Sequence, residues 1–169
     1  MPLGDNILKP LNGINVMVSE SAKLTIDRSE YLTRFRGRFL GMRKWEDLDQ
    51  LWQRVKSNDG QRWYIYHVGD PLPSEPVEQV MLKRFIDEID TLLRAEHEQD
   101  YCGIVYVDDP LAPTFIKIFD PNNLGVSCGF SDNPPLPGWV MSDIPPVDLP
   151  SAFPPPGNRR RWYQRLFVK

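Results

Sequence analysis

Residues 101–119 read YCGIVYVDDPLAPTFIKIF, and this stretch decides the predicted fold. Its two apolar runs, 101–107 and 114–119, are rich in β-branched and aromatic residues, which is typical of strands. The six-residue loop Asp108–Pro113 between them predicts an antiparallel hairpin. Because the runs are nearly continuous rather than alternating, we expect the strands to be covered on both faces.

Two amphipathic helices are predicted before the hairpin. Residues 45–57 carry acids in the early turns and bases in the last turn, as the helix dipole prefers. Residues 75–97 form the second helix, with Pro76 in the first turn, where its missing N–H is tolerated. The apolar stripes follow helical spacing. They are Trp45, Leu48, Leu51, Trp52 and Val55 in the first helix, and Val77, Met81, Phe85, Ile89, Leu92 and Leu93 in the second.

Further strands are predicted nearer the N-terminus. Residues 14–18 and 22–27 are read as short strands with a turn between them, and residues 62–68 as another strand. Residues 33–40 alternate arginine with phenylalanine or glycine, which favours a strand. A helix over residues 30–42 is the alternative, although Gly37 would weaken it. The whole pattern predicts an α+β domain over residues 1–130, with a mostly antiparallel sheet and the two main helices on one face.

Residues 131–157 hold nine of the seventeen prolines, and neither lysine nor arginine. Each proline lacks an N–H and fixes its φ, so we expect neither a regular helix nor a central strand here. The stretch also carries large apolar side chains, which predicts an extended arm packed on the domain. We expect Trp139, Ile144 and Phe153 to cover the second face of the sheet, although recognition by a partner that binds PxxP segments is an alternative.

Residues 158–169 form a basic aromatic tail. Five cationic residues are mixed with large apolar residues, which favours docking to a partner. Packing of the tail against the core of its own domain is an equal alternative. The candidate docking residues are Arg159, Arg160, Arg161, Trp162, Tyr163 and Phe167.

A cluster of arginines is the best anion-binding candidate. On a strand, Arg34, Arg36 and Arg38 would share one face and repel one another unless an anion or carboxylates lay opposite. This pattern predicts a surface for phosphate, RNA or an acidic partner, or else pairing with the domain's own acids.

A small-ligand site is a further hypothesis. His67 ends a predicted strand just before Asp70, and Cys128 and Asn123 lie in a loop rich in glycine, serine and asparagine. A reactive Cys128 would need a cation, a histidine or a helix N-terminus nearby to lower its pKa, and Cys102 could then serve as a resolving thiol. The alternative is that both cysteines are unreactive and that Cys102 is simply buried in a strand.

Metal and cofactor signatures are weak in this sequence. The two cysteines and two histidines lack zinc-site spacing, and the glycine-rich phosphate loops are missing. Asp108, Asp109 and Asp120 look like turn residues, although they would bind a hard cation if their turns converged. We therefore expect no metal and no cofactor.

Composition limits the function classes. The chain has 169 residues, 41% of them apolar and 25% charged, as in an ordinary globular domain. A net charge of −3 argues against a surface devoted to nucleic acid. Neither a membrane span nor a secretory signal is visible, so we expect a cytoplasmic protein that does not associate with membranes.

The sequence favours a non-enzymatic accessory or interaction protein of a cytoplasmic assembly, which binds a protein partner or a second copy. No catalytic constellation supports an enzyme. The alternatives are a small-ligand binder or small enzyme at His67, Asp70 and Cys128, and binding of RNA or phosphate through the arginines.

Overall fold

A five-stranded antiparallel sheet organises the protein. The computed structural model describes residues 19–123 and 135–153, and within them the strand order is β1-β3-β4-β5-β2. The strands are β1 (Leu40–Gly41), β2 (Tyr64–His67), β3 (Val105–Val107), β4 (Phe115–Ile118) and β5 (Trp139–Ser142). The helices are α1 (Glu20–Phe35), α2 (Trp45–Ser57), α3 (Gln79–Glu96) and the short α4 (Leu149–Ala152), with a 3₁₀ turn at Pro121–Asn123. The predicted α+β class is confirmed.

The hairpin β3–β4 is antiparallel, as predicted, but β3 is shorter than expected. Gly103 has a φ of +69°, a conformation that an L side chain rarely adopts, so the strand begins only after it. Before it, the amide of Cys102 donates to the carbonyl of Arg43 at 3.0 Å. Residues 101–103 therefore run beside the chain that leads into α2.

The last strand, β5, lies between β4 and β2. The expectation of no central strand in the proline-rich stretch is wrong here. The four residues Trp139–Ser142 contain no proline, and the flanking Pro137 and Pro145 lie outside the ladder. The division into domain, arm and tail stays a prediction.

Helices α2 and α3 cover one face of the sheet. The bounds of α2 match the prediction, and its stripe is buried together with Ile116 and Ile118 of β4, except that Trp45 is only partly buried. Helix α3 begins at Gln79 rather than at residue 75. The reason is that the amide of Val77 donates to the carbonyl of Trp63 at 2.8 Å and extends the sheet edge.

The predicted apolar stripe of α3 is partly wrong. Leu82 and Ile86 are buried, whereas Met81 is 52% exposed and Leu92 is 46% exposed. The buried stripe is thus one residue out of phase with the predicted one over the first half of the helix, and the two agree again at Ile89 and Leu93.

The second face is covered by α1 and by residues 144–153. Tyr31 and Phe35 of α1 pack on Phe115 of β4, with ring centroids 5.0 and 6.4 Å apart. The expected cover by Ile144 and Phe153 lies on this face, while Trp139 lies on the opposite face against Phe85. Coverage of both faces, as the apolar strands predicted, is confirmed.

Helix α1 replaces two predicted strands, 22–27 and 33–40, and both strand predictions are wrong. The hydroxyl of Ser19 accepts the amide of Ala22 at 3.3 Å, so residues read as a turn in fact cap a helix. Tyr31 and Phe35 lie one turn apart and face the core together. The predicted strand at 14–18 lies outside the described residues.

Candidate protein-interaction surface

The first three turns of α1 stand clear of the domain. In residues 20–30, which we call the outer half of α1, every side chain is exposed except that of Asp27, which is half-buried. Leu24 is 65% exposed and Ile26 is 59% exposed. Eleven consecutive helical residues therefore present apolar and charged groups to solvent on nearly every side.

The outer half depends on the turns that follow it. A helix of about three turns is marginal in water by itself, because nucleation is costly. The Ser19 cap supplies about 1 kcal/mol through the bond that its hydroxyl accepts from the amide of Ala22. The remaining stability comes from continuity with Tyr31 and Phe35, which are 0% and 1% exposed.

Polar contacts fix the inner turns on the sheet. Arg34 lies 2.8 Å from a carboxylate oxygen of Asp143 and donates to the hydroxyl of Thr114 at 2.6 Å. The ammonium of Lys117 on β4 donates to the carbonyl of Phe35 at 2.6 Å, at the C-terminal end of α1. These contacts hold the direction of the helix, so the outer half is presented in a defined orientation.

Leu24 extends the buried stripe of α1 beyond the core. It lies seven residues before Tyr31, which is two turns, so the two side chains share one helix face. Tyr31 is buried against the sheet, whereas Leu24 is largely exposed. The apolar stripe therefore continues past the region that the sheet covers.

Other exposed apolar side chains differ in context. Val80 and Met81 on α3 are 75% and 52% exposed, but α3 is buried along its length by four residues of its other face. Leu111 lies in a loop. Single exposed apolar residues on a buried element are ordinary. The outer half of α1 is unlike them, because none of its residues is buried.

The predicted arginine face does not exist in this form. Arg34 lies within α1 and is engaged by Asp143 and Thr114, which corresponds to the alternative of pairing with the domain's own acids. Arg36 caps the helix and lies 4.8 Å from the ring of Phe153, while Arg38 is exposed. The predicted strand, which would have aligned the three arginines on one face, is wrong because α1 continues through Phe35. Binding of an anion to these residues stays a prediction.

His67 and Asp70 do come together. The Nδ1 atom of His67 lies 2.9 Å from Oδ2 of Asp70, and the imidazole stacks on Trp139 with ring centroids 4.3 Å apart. His67, Trp139 and Ile118 form one row across the sheet. The turn after β2 and the loop after β4 therefore leave the sheet at the same end.

The rest of the small-ligand site is not assembled by the described residues. Asn123 ends the 3₁₀ turn that follows β4, and Cys128 lies outside the described residues. Cys102 is fully buried, and burial raises the pKa of its thiol, so it is poorly suited to act as a nucleophile. A ligand-binding role for His67 and Asp70 stays a prediction.

The acidic residues serve turns, and they do not converge. Asp108 accepts the amides of Thr114 and Phe115 at 3.0 Å each, before β4 begins. Asp120 accepts the amide of Asn122 at 2.8 Å, after β4 ends. The two carboxylates thus lie at opposite ends of one strand, and the hypothesis that they share a cation is wrong.

Two features escaped the sequence analysis. Residues 22–27 in the outer half of α1 were read as a strand, although the spacing of Leu24, Tyr31 and Phe35 and the serine before Glu20 are signals of a helix. Lys117 was passed over, although a single lysine inside the apolar strand TFIKIF is itself unusual. The docking tail, from Arg159 to Phe167, lies outside the described residues.

The fold and this surface define an α+β protein with a helix that projects from its sheet. No helix within the described residues has both the length and the apolar character needed to cross a bilayer. No family model, curated protein or solved structure matches the chain.

Proposed function

We propose that this protein is a non-enzymatic interaction protein of a cytoplasmic assembly, and that the outer half of α1 is the surface through which it binds a protein partner. The observation that carries the proposal is the run of eleven helical residues, all exposed except the half-buried Asp27, that includes Leu24 and Ile26. Helices in this situation gain stability when a partner covers them, since each large aliphatic side chain contributes roughly 1.5–3 kcal/mol on burial.

The anchoring contacts support the same function. Arg34 and Lys117 fix the inner turns through ionic and hydrogen-bonded contacts to the sheet. A helix that is held at one end is pre-organised, so binding a partner costs less conformational entropy than ordering a free peptide would. The cytoplasmic placement is consistent with the free thiol of Cys102, since cysteines are usually kept reduced there.

Site-specific photo-crosslinking in the producing cell tests the proposal. A photoreactive phenylalanine analogue replaces Leu24 in the full chain, and Gln53, which is exposed on α2, is the matched control position. We expect a discrete adduct between position 24 and a second polypeptide, identified by mass spectrometry. Position 53 should give no such adduct.

One result contradicts the proposal. If position 24 crosslinks only within the same molecule, or not at all, the outer half of α1 is not a docking surface.

A further inference from the structure

We infer that the occupant of the outer half of α1 is the same helix of a second copy of this chain, with the two helices antiparallel about a two-fold axis beside Leu24. This inference rests on the proposed function and names its partner.

The pattern of charge along one helix row carries the inference. Glu20, Leu24 and Arg28, which we call the charged ridge, are spaced four residues apart, so they form one row along the helix. The row has an acid at its N-terminal end, a leucine at its centre and a base at its C-terminal end. An antiparallel copy places Glu20 opposite Arg28 of the partner subunit, Arg28 opposite the partner's Glu20, and the two leucines in contact.

The alternative arrangement is unfavourable. In a parallel pair in register, each acid would face an acid and each base would face a base, which costs energy. The charge order therefore selects the antiparallel pair. A two-fold axis satisfies both ion pairs at once, as is usual for a closed homodimer.

The ridge is free to make these contacts. Glu20, Leu24 and Arg28 are all exposed. Within residues 19–123 and 135–153, neither Glu20 nor Arg28 has an ion-pair partner, whereas Arg34 on the same helix is paired with Asp143. Exposed charges on α3 are also satisfied locally, since Arg84 pairs with Glu88 and Arg94 with Asp90.

The size of the contact sets the expected affinity. Two helices touching over about three turns bury less than the 1,200 Å² or so of a standard stable interface. We therefore expect a weak dimer, with a dissociation constant roughly in the micromolar to millimolar range. Because its ion pairs are exposed, the dimer should weaken as salt is raised.

Charge reversal on the full chain tests the pairing. Sedimentation equilibrium measures the dissociation constant of the wild type, of Glu20→Arg, of Arg28→Glu and of the double variant. Each single variant sets like charges opposite each other twice, so we expect the dimer to weaken at least about tenfold. The double variant rebuilds both ion pairs and should return to within about threefold of the wild type.

A matched control separates the ridge from general effects of charge. Ser29→Arg adds a cation to the same exposed helix, about 140° around the axis from Leu24. We expect this variant to dimerise like the wild type. Circular dichroism should show an unchanged helix content in all four variants.

The outcomes distinguish the two claims. A wild type that stays monomeric up to millimolar concentration overturns the inference, and so does a dimer that ignores the charge reversals. If position 24 is nevertheless crosslinked to a different protein in the cell, the proposed function stands and only the identity of the partner is wrong.

Discussion

At the scale of single residues, Lys117 links the sheet to α1. It lies on the central strand β4 with its ammonium 4.0 Å from the ring centroids of both Phe35 and Phe39. It also donates to the carbonyl of Phe35, where the helix dipole leaves partial negative charge. Burial lowers the pKa of this lysine to about 8, because the charged form loses its hydration.

This lysine gives stability a predictable pH dependence. In the unfolded chain its pKa returns to about 10.5, so between pH 8 and 10.5 the unfolded state binds more protons than the folded state. The contribution of Lys117 to the free energy of unfolding should therefore rise with pH in this window, by roughly 1–2 kcal/mol between pH 7.5 and 9.5. Burial raises the pKa of the Cys102 thiol, so ionisation of that thiol in the unfolded chain lowers the stability of both proteins over the same range. The free energy of unfolding of the wild type minus that of Lys117→Met should therefore rise by the Lys117 contribution alone.

Urea unfolding at pH 7.5 and 9.5, on the wild type and the variant, makes the comparison. The window stops at 9.5 because Tyr31 and Tyr66 lie on the same face with raised pKa values. Unfolded tyrosines ionise near pH 10 and would lower stability above that point. Parallel pH profiles for the two proteins would rule out a buried ammonium at position 117.

Lys117 also shows the limit of sequence reasoning at this scale. The apolar run around it predicted a covered strand, and β4 is that strand. The partners of the ammonium could not be predicted, because Phe35 ends a helix and Phe39 lies just beyond that helix, whereas residues 33–40 had been read as a strand. Cys102 illustrates the reverse case, since a buried, inert thiol was one of the expected alternatives.

At the scale of elements, α1 has two halves with opposite roles. Tyr31 and Leu24 lie on one helix face, but only Tyr31 touches the core. We expect Tyr31→Ala to lower the free energy of unfolding by roughly 3–5 kcal/mol, because it leaves a cavity against Phe115. Leu24→Ala should change the free energy of unfolding by less than about 0.5 kcal/mol.

Urea unfolding of dilute protein measures both values. Dilution matters because any dimer would add to the apparent stability. A loss of 2 kcal/mol or more in Leu24→Ala would mean that the chain itself buries Leu24, and the outer half would then be part of the core.

Elements with strong local signals were predicted well. Helix α2 combines a buried stripe with acids at its start and bases at its end, and its bounds agree with the structure. Helix α1 was missed because only its last turns carry a core stripe. Its outer half adds only Leu24 to that stripe, which is too little apolar periodicity for a buried helix to be recognised, and none of the described residues buries it.

At the scale of the whole molecule, the strand order depends on contacts distant in sequence. The hairpin β3–β4 follows from a short loop, but the insertion of β5 between β4 and β2 does not. Strand β5 reaches its place only because Trp139–Ser142 finds partners on both sides, one of them more than seventy residues away. The strand was not predicted, because the prolines on either side of it suggested an extended arm.

The same dependence explains why the candidate surface could not be predicted. Whether a helix is exposed depends on which other elements pack against it, and this packing is set only when the whole chain has folded. The sequence did predict that a protein partner or a second copy would be bound. It placed that contact in the tail at residues 158–169, whereas the proposal here uses the outer half of α1.

Amide hydrogen exchange on the full chain tests the central claim most directly. In dilute protein we expect amides 24–30 to exchange at least about tenfold faster than amides 32–35, and to become protected as the protein concentration rises. Strong protection of amides 24–30 in dilute protein, equal to that of the inner turns and independent of protein concentration, would contradict the account.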